Sequence, residues 1–345
     1  MISGLIHRYR NSKKQAQLNR FSSYQYRYAF VGVGGHSINN LYPVLDFLGV
    51  PLKYICTRDP KNAKKLAFKY KDCTGTGRFE DLLEDKTIKG ILISSAPEVH
   101  YALAKKALEA GKNIFIEKPP CKNTLQLDEL IALSKNRITA CGLQKRKAQV
   151  YEQAKAACKH PVHYHLHYAT GAYPEGSALL DLFIHPLDLA VYLFGPASIA
   201  HFNQSLNKQT LLLTLQHDNG VIGQLELSTD YTWSSPRESL TIVDGKGIFE
   251  SNGINEARFT KKGKKIGGLP LEKVFKSPTK TAFLHENSGF VPMGEFNPIY
   301  THGFYPEISS FIDACEGKRT TLTQDLASLK PTYKLLDELH HLIHD

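Results

Sequence analysis

Nowhere in these 345 residues is there an apolar run long enough to cross a bilayer. The opening stretch Met1-Ile-Ser-Gly-Leu-Ile-His-Arg8 also lacks the longer apolar core of a secretory signal, so the expected location is the cytoplasm. The six cysteines, Cys56, Cys73, Cys121, Cys141, Cys158 and Cys315, form no C-x-x-C pair. Several fall inside apolar stretches and read as small core residues, so neither a disulfide framework nor a metal site is expected. Missing too is any helix-turn-helix, zinc-finger or RNA-recognition signature to accompany the net charge of +10. That charge gathers in Arg8, Arg10, Lys13, Lys14 and Arg20 and in Lys261-Lys262-Gly-Lys264-Lys265, which read as a solvated arm and a solvated loop. Nucleic acid and membrane are therefore not expected partners. The positive field suits an anionic substrate or a phosphorylated cofactor.

The length predicts two domains. Tyr28 to Val33 reads as a strand, Gly32-Val-Gly-Gly-His-Ser37 as the turn after it, and Ile38 to Leu48 as a helix. In a dinucleotide fold the first glycine of such a turn permits the tight bend, and the second lets the backbone approach a pyrophosphate at the helix N-terminus. Gly32 and Gly34 take these roles, with Val33, Gly35 and His36 completing the candidate cofactor turn. Ser37 stands where the fingerprint has its third glycine. The next strand, Leu52 to Cys56, ends in Thr57-Arg58, where a fold selective for NAD presents an acid. A hydroxyl and a guanidinium suit a 2′-phosphate, which favours NADP(H) with NAD(H) left open. The plainer alternative is a turn into the next helix, with Asp59 as its cap.

Helix and strand then alternate. Helices are predicted from Pro60 to Tyr70, Phe79 to Asp85, Tyr101 to Ala110 and Thr124 to Ser134, and strands from Lys89 to Ser95, Asn113 to Glu117 and Ile138 to Gly142. The fold class is α/β, a doubly wound and mostly parallel Rossmann sheet. The run Asn113-Ile-Phe-Ile-Glu117-Lys118-Pro119 is a buried strand whose end delivers Glu117 and Lys118 to the crevice where such sheets bind ligands. The plain alternative is that Lys118 caps the strand and pairs with Glu117.

After a linking helix, Val150 to Lys159, the pattern turns to half-buried strands with hairpins at Asp218-Asn219-Gly220 and Asp244-Gly245. The expected organisation is a basic extension at 1–25, a dinucleotide-binding Rossmann domain at 26–145 and an α+β domain at 146–345 with a large, mostly antiparallel sheet. A sheet with one face free commonly builds a subunit interface, so a homo-oligomer is expected. Within this domain Asp181 and His185 are four residues apart and share a helical face. Pro186 lacks an N–H and prefers a first helical turn, so the alternative is a helix that begins near His185 with Asp181 in the preceding turn; either arrangement keeps the two residues neighbours. A satisfied core histidine is the competing reading.

Taken together these residues resemble the Gfo/Idh/MocA family, which includes glucose-fructose oxidoreductase and myo-inositol dehydrogenase. The resemblance runs from about Arg27 to His340. It rests on Gly32 and Gly34, on Ala96-Pro97 to His100, on Ala107-Leu-Glu-Ala-Gly-Lys112 leading into Glu117-Lys118-Pro119, and on Asp181, His185 and Asp188 ending at Gly195. It implies that Lys118 contacts nicotinamide and substrate, that His185 exchanges the proton of the reacting hydroxyl and that Asp181 orients them. Ala96, Pro97, His100 and Glu117 join the expected cofactor contacts, and Arg146 the substrate contacts. The implied activity is hydride transfer to or from a hydroxyl or carbonyl carbon of a sugar, cyclitol or nucleotide-linked sugar. Alternatives are reduction of an unsaturated or imine-like bond, and a non-catalytic cofactor-binding regulator. Ser37, Glu98 in place of a frequent asparagine, and the reduced glycine run Gly176-Ser-Ala178 depart from the family pattern.

Overall fold

The computed structural model describes residues 2–18, 24–275, 279–286, 297–318 and 322–344, so Arg20 of the basic arm lies outside it. The arm is helical, α1 (Ile2–Leu18), and its Arg8, Arg10, Lys13 and Lys14 are exposed, as expected of a solvated segment. Among the described residues no helix is long and apolar enough to cross a membrane. Contacts divide the chain into two units: Met1–Glu117, Leu133–Cys141 and Ile308–Thr323 form the first, and Lys118–Ala132, Gly142–Glu307 and Gln324–Asp345 the second.

The first unit is built on a six-stranded sheet of β1 (Arg27–Val31), β2 (Leu52–Cys56), β3 (Thr74–Thr76), β4 (Ile88–Ile93), β5 (Asn113–Glu117) and β6 (Thr139–Gly142). Their order is β3-β2-β1-β4-β5-β6, with β1 pairing in parallel with both β2 and β4. The winding direction reverses between β1 and β4, which is where an open α/β sheet leaves its ligand crevice. Every residue of β5 is buried, as a strand covered on both faces requires. β3 had no signal in the sequence: three residues with a central glycine carry no apolar pattern. The helices are α2 (Tyr42–Leu48), preceded by a wide turn over Ser37–Leu41, then α3 (Pro60–Ala67), α4 (Glu80–Glu84) and α5 (Pro97–Glu109); α6 (Thr124–Leu133), which precedes β6 in sequence, belongs to the second unit except for its last residue. Asp59 caps α3 by accepting from Lys61 N at 2.9 Å.

In the second unit, α7 (Gln149–Ala157) leads to β7 (Pro161–Ala169) and α8 (Ile184–Phe194). A run of strands follows: β8 (Ala197–Gln204), β9 (Thr210–His217), β10 (Ile222–Ser228), β11 (Arg237–Asp244), β12 (Gly247–Asn252) and β13 (Glu256–Lys261). The ribbon β14 (Lys265–Ile266) and β15 (Leu269–Pro270) comes next, then β16 (Thr281–Glu286). Eight of these form one sheet, β16-β13-β12-β11-β7-β10-β9-β8, antiparallel except where β7 meets β10. The strands after Asn252 went unread because Lys261 to Lys265 looked like a solvated loop; the lysines are exposed, yet Lys261 ends β13 and Lys265 sits in β14. One face is covered: Tyr164 of β7 stacks on Phe194 of α8 with ring centroids 4.0 Å apart. The other carries His163, His165, His167, Leu212, Ile222 and Ile248, aligned by strand register.

The chain closes with α9 (Pro298–Thr301), α10 (Phe304–Cys315) and α11 (Lys330–His344). A single cut near residue 146 does not separate the units, because the later part of α10 returns to the first sheet. Phe311 lies 6.1 Å from Phe115 between ring centroids, and the Glu316 carboxylate just beyond α10 accepts from Tyr28 Oη at 3.0 Å. Cys56, Cys121, Cys141 and Cys315 are buried, and all six cysteines are free thiols. Burial pushes the Cys56 thiol up to about 11 and the Cys121 and Cys315 thiols to about 12, so none of these three offers a thiolate near neutral pH.

Arg146 is scaffold. It is 2% exposed and its guanidinium grips the Asp188 carboxylate on α8, through Nε at 2.8 Å and Nη2 at 2.5 Å. Nη1 donates to Ser328 Oγ at 2.9 Å, and Thr332 Oγ1 donates to Asp188 Oδ1 at 2.9 Å. These bonds give the Arg146 guanidinium a structural role within the second unit. Removing one charge of a buried pair strands the other. Asp188→Asn or Arg146→Met should therefore each cost about 3–5 kcal/mol, and the Arg146→Met/Asp188→Leu double variant should recover most of that loss in equilibrium urea unfolding. Single variants that cost under about 1 kcal/mol would show the pair to be dispensable.

Candidate active site

In the first unit the chain leaves β1 through a turn that only glycine permits at its first position. Gly32 has φ of +115°, and a side chain there would run into the carbonyl of Ser94 at the end of β4. The turn is held from three sides: Gly32 N donates to Cys56 O at 2.8 Å, Ser94 N to Val31 O at 2.8 Å, and Tyr42 Oη to Gly32 O at 3.0 Å. Around Gly34 and Gly35 the space a Cβ would take is open for 4 Å, and Gly34, Gly35 and His36 are exposed. A wide helical turn, Ser37–Leu41, begins directly after this open space. Val33 is half-buried beside it.

Ser37 explains its own departure from the glycine pattern. It is buried, and its Oγ lies 2.9 Å from Ser94 Oγ and 3.3 Å from Ser94 O, so a hydroxyl bonds the helix to β4 where a glycine would only allow close packing. No sequence signal identifies Ser94 as its partner. Glu117, at the end of β5, is 6% exposed and its Oε1 faces His36 Nε2 at 3.4 Å. Asn40 Nδ2 lies 3.0 Å from the other ring nitrogen of His36, and as an amide donor it directs the Nε2 proton towards Glu117. Glu117 thus braces the helix start from inside the sheet.

Thr57 is tied into the sheet edge through its amide, which donates to Thr76 O at 3.2 Å, and Arg58 beyond it is exposed. Both the cap at Asp59 and the exposed guanidinium are present, so the helix-turn reading and the phosphate-binding reading are compatible. Ala96 precedes α5 and Pro97 opens it, with Glu98 exposed in its first turn. His100 is different. It is 1% exposed and its Nε2 bonds Ser95 O at 3.0 Å, so it stabilises the loop after β4 from beneath.

The second unit holds Lys118, Asp181 and His185. Lys118, which follows the last residue of β5, donates from Nζ to the backbone carbonyl of Asp181 at 2.5 Å across 63 residues of sequence. Asp181 is 7% exposed and its Oδ2 accepts from Ser177 N at 3.0 Å. It lies in a wide turn, Ala178–Phe183, that opens at Ser177 and runs directly into α8. An α-ladder cannot pass through Pro186 intact, and the wide turn absorbs the change just before it. Helix α8 thus begins at Ile184, beside His185, and Asp181 sits in the turn that precedes it. His185 is half-buried in the first turn of α8. The glycine before this turn has a steric reason: a Cβ at Gly176 would strike Asp181 Oδ2.

Sequence reasoning passed over Lys145, whose Nζ bonds both oxygens of Glu238 at 2.6 and 2.7 Å and lies 4.9 Å from the centroid of the Tyr168 ring. It also passed over Trp233, whose indole Nε1 donates to Ala172 O at 2.7 Å. Neither carries a motif; only strand pairing brings them to these partners. Among the described residues no group of three His, Cys, Asp or Glu side chains is placed to hold a metal ion.

Residues 26–143 match a family described as "Oxidoreductase family, NAD-binding Rossmann fold", and residues 152–250 match the GFO/IDH/MocA C-terminal domain. The scyllo-inositol 2-dehydrogenase (NAD(+)) of Bacillus subtilis (strain 168) is 29% identical over 274 residues, 71% of this chain and 73% of that protein. An uncharacterized oxidoreductase of Escherichia coli (strain K12) is 30% identical over 152 residues, covering 39% of this chain and 44% of that protein. Four curated relatives are matched over about half of their length, 43% to 57%. Among solved structures, a dehydrogenase from Chromobacterium violaceum superposes with a TM-score of 0.79 at 19% identity, covering 93% of this chain and 96% of that one. That likeness speaks for the fold. Two stretches of one chain, matching the two halves of one family in the right order, place this protein in the Gfo/Idh/MocA family of oxidoreductases.

Proposed function

We propose that this protein is an NAD(P)-dependent oxidoreductase that moves a hydride to or from a hydroxyl or carbonyl carbon of a sugar, cyclitol or nucleotide-linked sugar. The observation that carries the reading is the bond from Lys118 Nζ to the Asp181 backbone, which joins two motifs far apart in sequence. The nicotinamide, when bound, supplies the hydride acceptor or donor. The rest is proton and charge handling by this chain. Oxidising a carbinol carbon releases its hydride and requires loss of the hydroxyl proton; His185, as neutral imidazole, accepts that proton. Lys118, cationic, stabilises the alkoxide that forms, and Asp181 holds the lysine in place. In the reducing direction His185 returns the proton. Gly32, Gly34, Gly35 and the helix amides fit the dinucleotide's phosphates, and Arg58 with Thr57 is assigned to the 2′-phosphate of NADP(H).

The open face of the large sheet supports self-association. Leu212 and Ile222 stand 49% and 44% exposed there, more apolar surface than a flat solvated face needs. A second copy through this face gives a closed dimer. Leu212→Arg should lower the mass observed by sedimentation velocity; a monomeric wild type, or an unchanged variant, would refute it.

For the cofactor, fluorescence titration should show tighter binding of NADPH than NADH, and Arg58→Ala should weaken NADPH binding by about 1.5–3 kcal/mol. Equal affinities, or an Arg58→Ala variant that binds NADPH as before, would remove Arg58 from the cofactor site.

For catalysis, Lys118→Ala and His185→Ala should each lower turnover by roughly two to four orders of magnitude while thermal melting stays near wild type. Oxidative turnover should also fall as the pH drops and the imidazole acquires the proton it must otherwise accept. Activity lost only in proportion to the unfolded fraction would return His185 to the core-histidine reading. A protein that binds nucleotide but turns over nothing on a panel of sugars, cyclitols and nucleotide sugars would be a regulator.

A further inference from the structure

The only tryptophan of the chain stands beside the Asp181 turn, in the same unit, on a loop pinned at its start: Thr229 N donates to Gln209 O and Tyr231 N to Thr170 O, each at 2.9 Å. Trp233 is 51% exposed but not loose, because its ring N–H is spent on Ala172 O and its Cδ1 edge lies against the bare α-carbon of Gly171, where any side chain would collide with the indole. Tyr173 comes next, 6.3 Å from Trp233 between ring centroids and tilted by 56°. The Tyr173 ring in turn borders Gly176, since a Cβ there would lie 2.9 Å from Tyr173 Cε1 and would also strike Asp181 Oδ2. Trp233, Tyr173, Gly176 and the Asp181 carboxylate therefore form one continuous row, with glycines at the two points where a side chain would break it.

We infer that this row is a substrate subsite, with the reacting ring at Lys118, Asp181 and His185 and a second ring of the same substrate stacked on Trp233. The inference rests on the oxidoreductase reading above and narrows its substrate to molecules longer than a single ring. A fixed indole with an open face selects for a flat or C–H-lined ring face, and its immobilisation removes the ordering cost a mobile side chain would impose. A second sugar ring and a nucleobase both present such a face.

The test uses the intact protein with saturating cofactor. Because Trp233 is the sole tryptophan, its emission reports on the subsite alone, and it is titrated with glucose, lactose and UDP-glucose. In parallel, kcat/KM is measured for wild type, Trp233→Ala and Trp233→Phe on one-ring and two-ring substrates. A saturable change in emission is expected with lactose or UDP-glucose and not with glucose, and which of the two acts identifies the second ring as sugar or base. The ratio of two-ring to one-ring kcat/KM should fall roughly 10- to 100-fold in Trp233→Ala and recover in part in Trp233→Phe. Emission unmoved by either two-ring ligand, or a ratio unchanged by Trp233→Ala, overturns the subsite. Saturable quenching without turnover of any substrate upholds the subsite and refutes the oxidoreductase reading instead.

Discussion

Asp188 is a charge that the interior of the second unit cannot hold alone. Its two oxygens are taken by Arg146 and Thr332, and Arg146 in turn binds Ser328, so the helical turn Gln144–Lys147, helix α8 and the start of α11 are locked to one another by a single buried carboxylate. Burying such a pair adds little net stability, but mispairing it is costly, and that asymmetry fixes geometry. Helix α8 carries His185, and the wide turn leading into α8 carries Asp181. The positions of both follow from where Arg146 holds the helix.

A second constraint is steric. The carbonyl of Ser94 fills the space a side chain at residue 32 would need, and the Asp181 carboxylate fills the space a side chain at 176 would need. In each case the missing side chain lets groups come close: the turn after β1 against Ser94 at the first, and the Asp181 carboxylate against the backbone of Gly176 and Ser177 at the second. The sheet faces add a third layer, one closed by helices and the other left with Leu212 and Ile222 exposed.

Much of this was legible in the residues. The apolar run of β5 read as a doubly covered strand and lies where the sequence put it, because burial on both faces leaves little freedom for polar residues; β2 was also placed correctly, although Lys53 and Tyr54 are half-buried there. The alternating strands of the second unit were equally plain up to Asn252. Beyond it the lysines at 261 to 265 concealed the end of β13 and all of β14, since a run of exposed charges carries no apolar alternation. Arg146 and His100 were assigned to ligands on chemistry alone, and both turned out to be buried in the protein's own hydrogen bonds. Residue type tells what a group can do, not whether its donors are already used.

By itself the sequence determined the fold class, the family and the identity of the charged groups, because those depend on local periodicity and on short motifs whose spacing survives without three-dimensional context. Tertiary structure decided which residues meet. It brought Lys118 to Asp181 across 63 residues, Ser37 to Ser94, and Trp233 to the backbone before Tyr173. It also returned the end of α10 to the first sheet, against Phe115. Such pairings depend on how strands order and which faces are covered, and the period of a strand or helix carries no information about its distant neighbour.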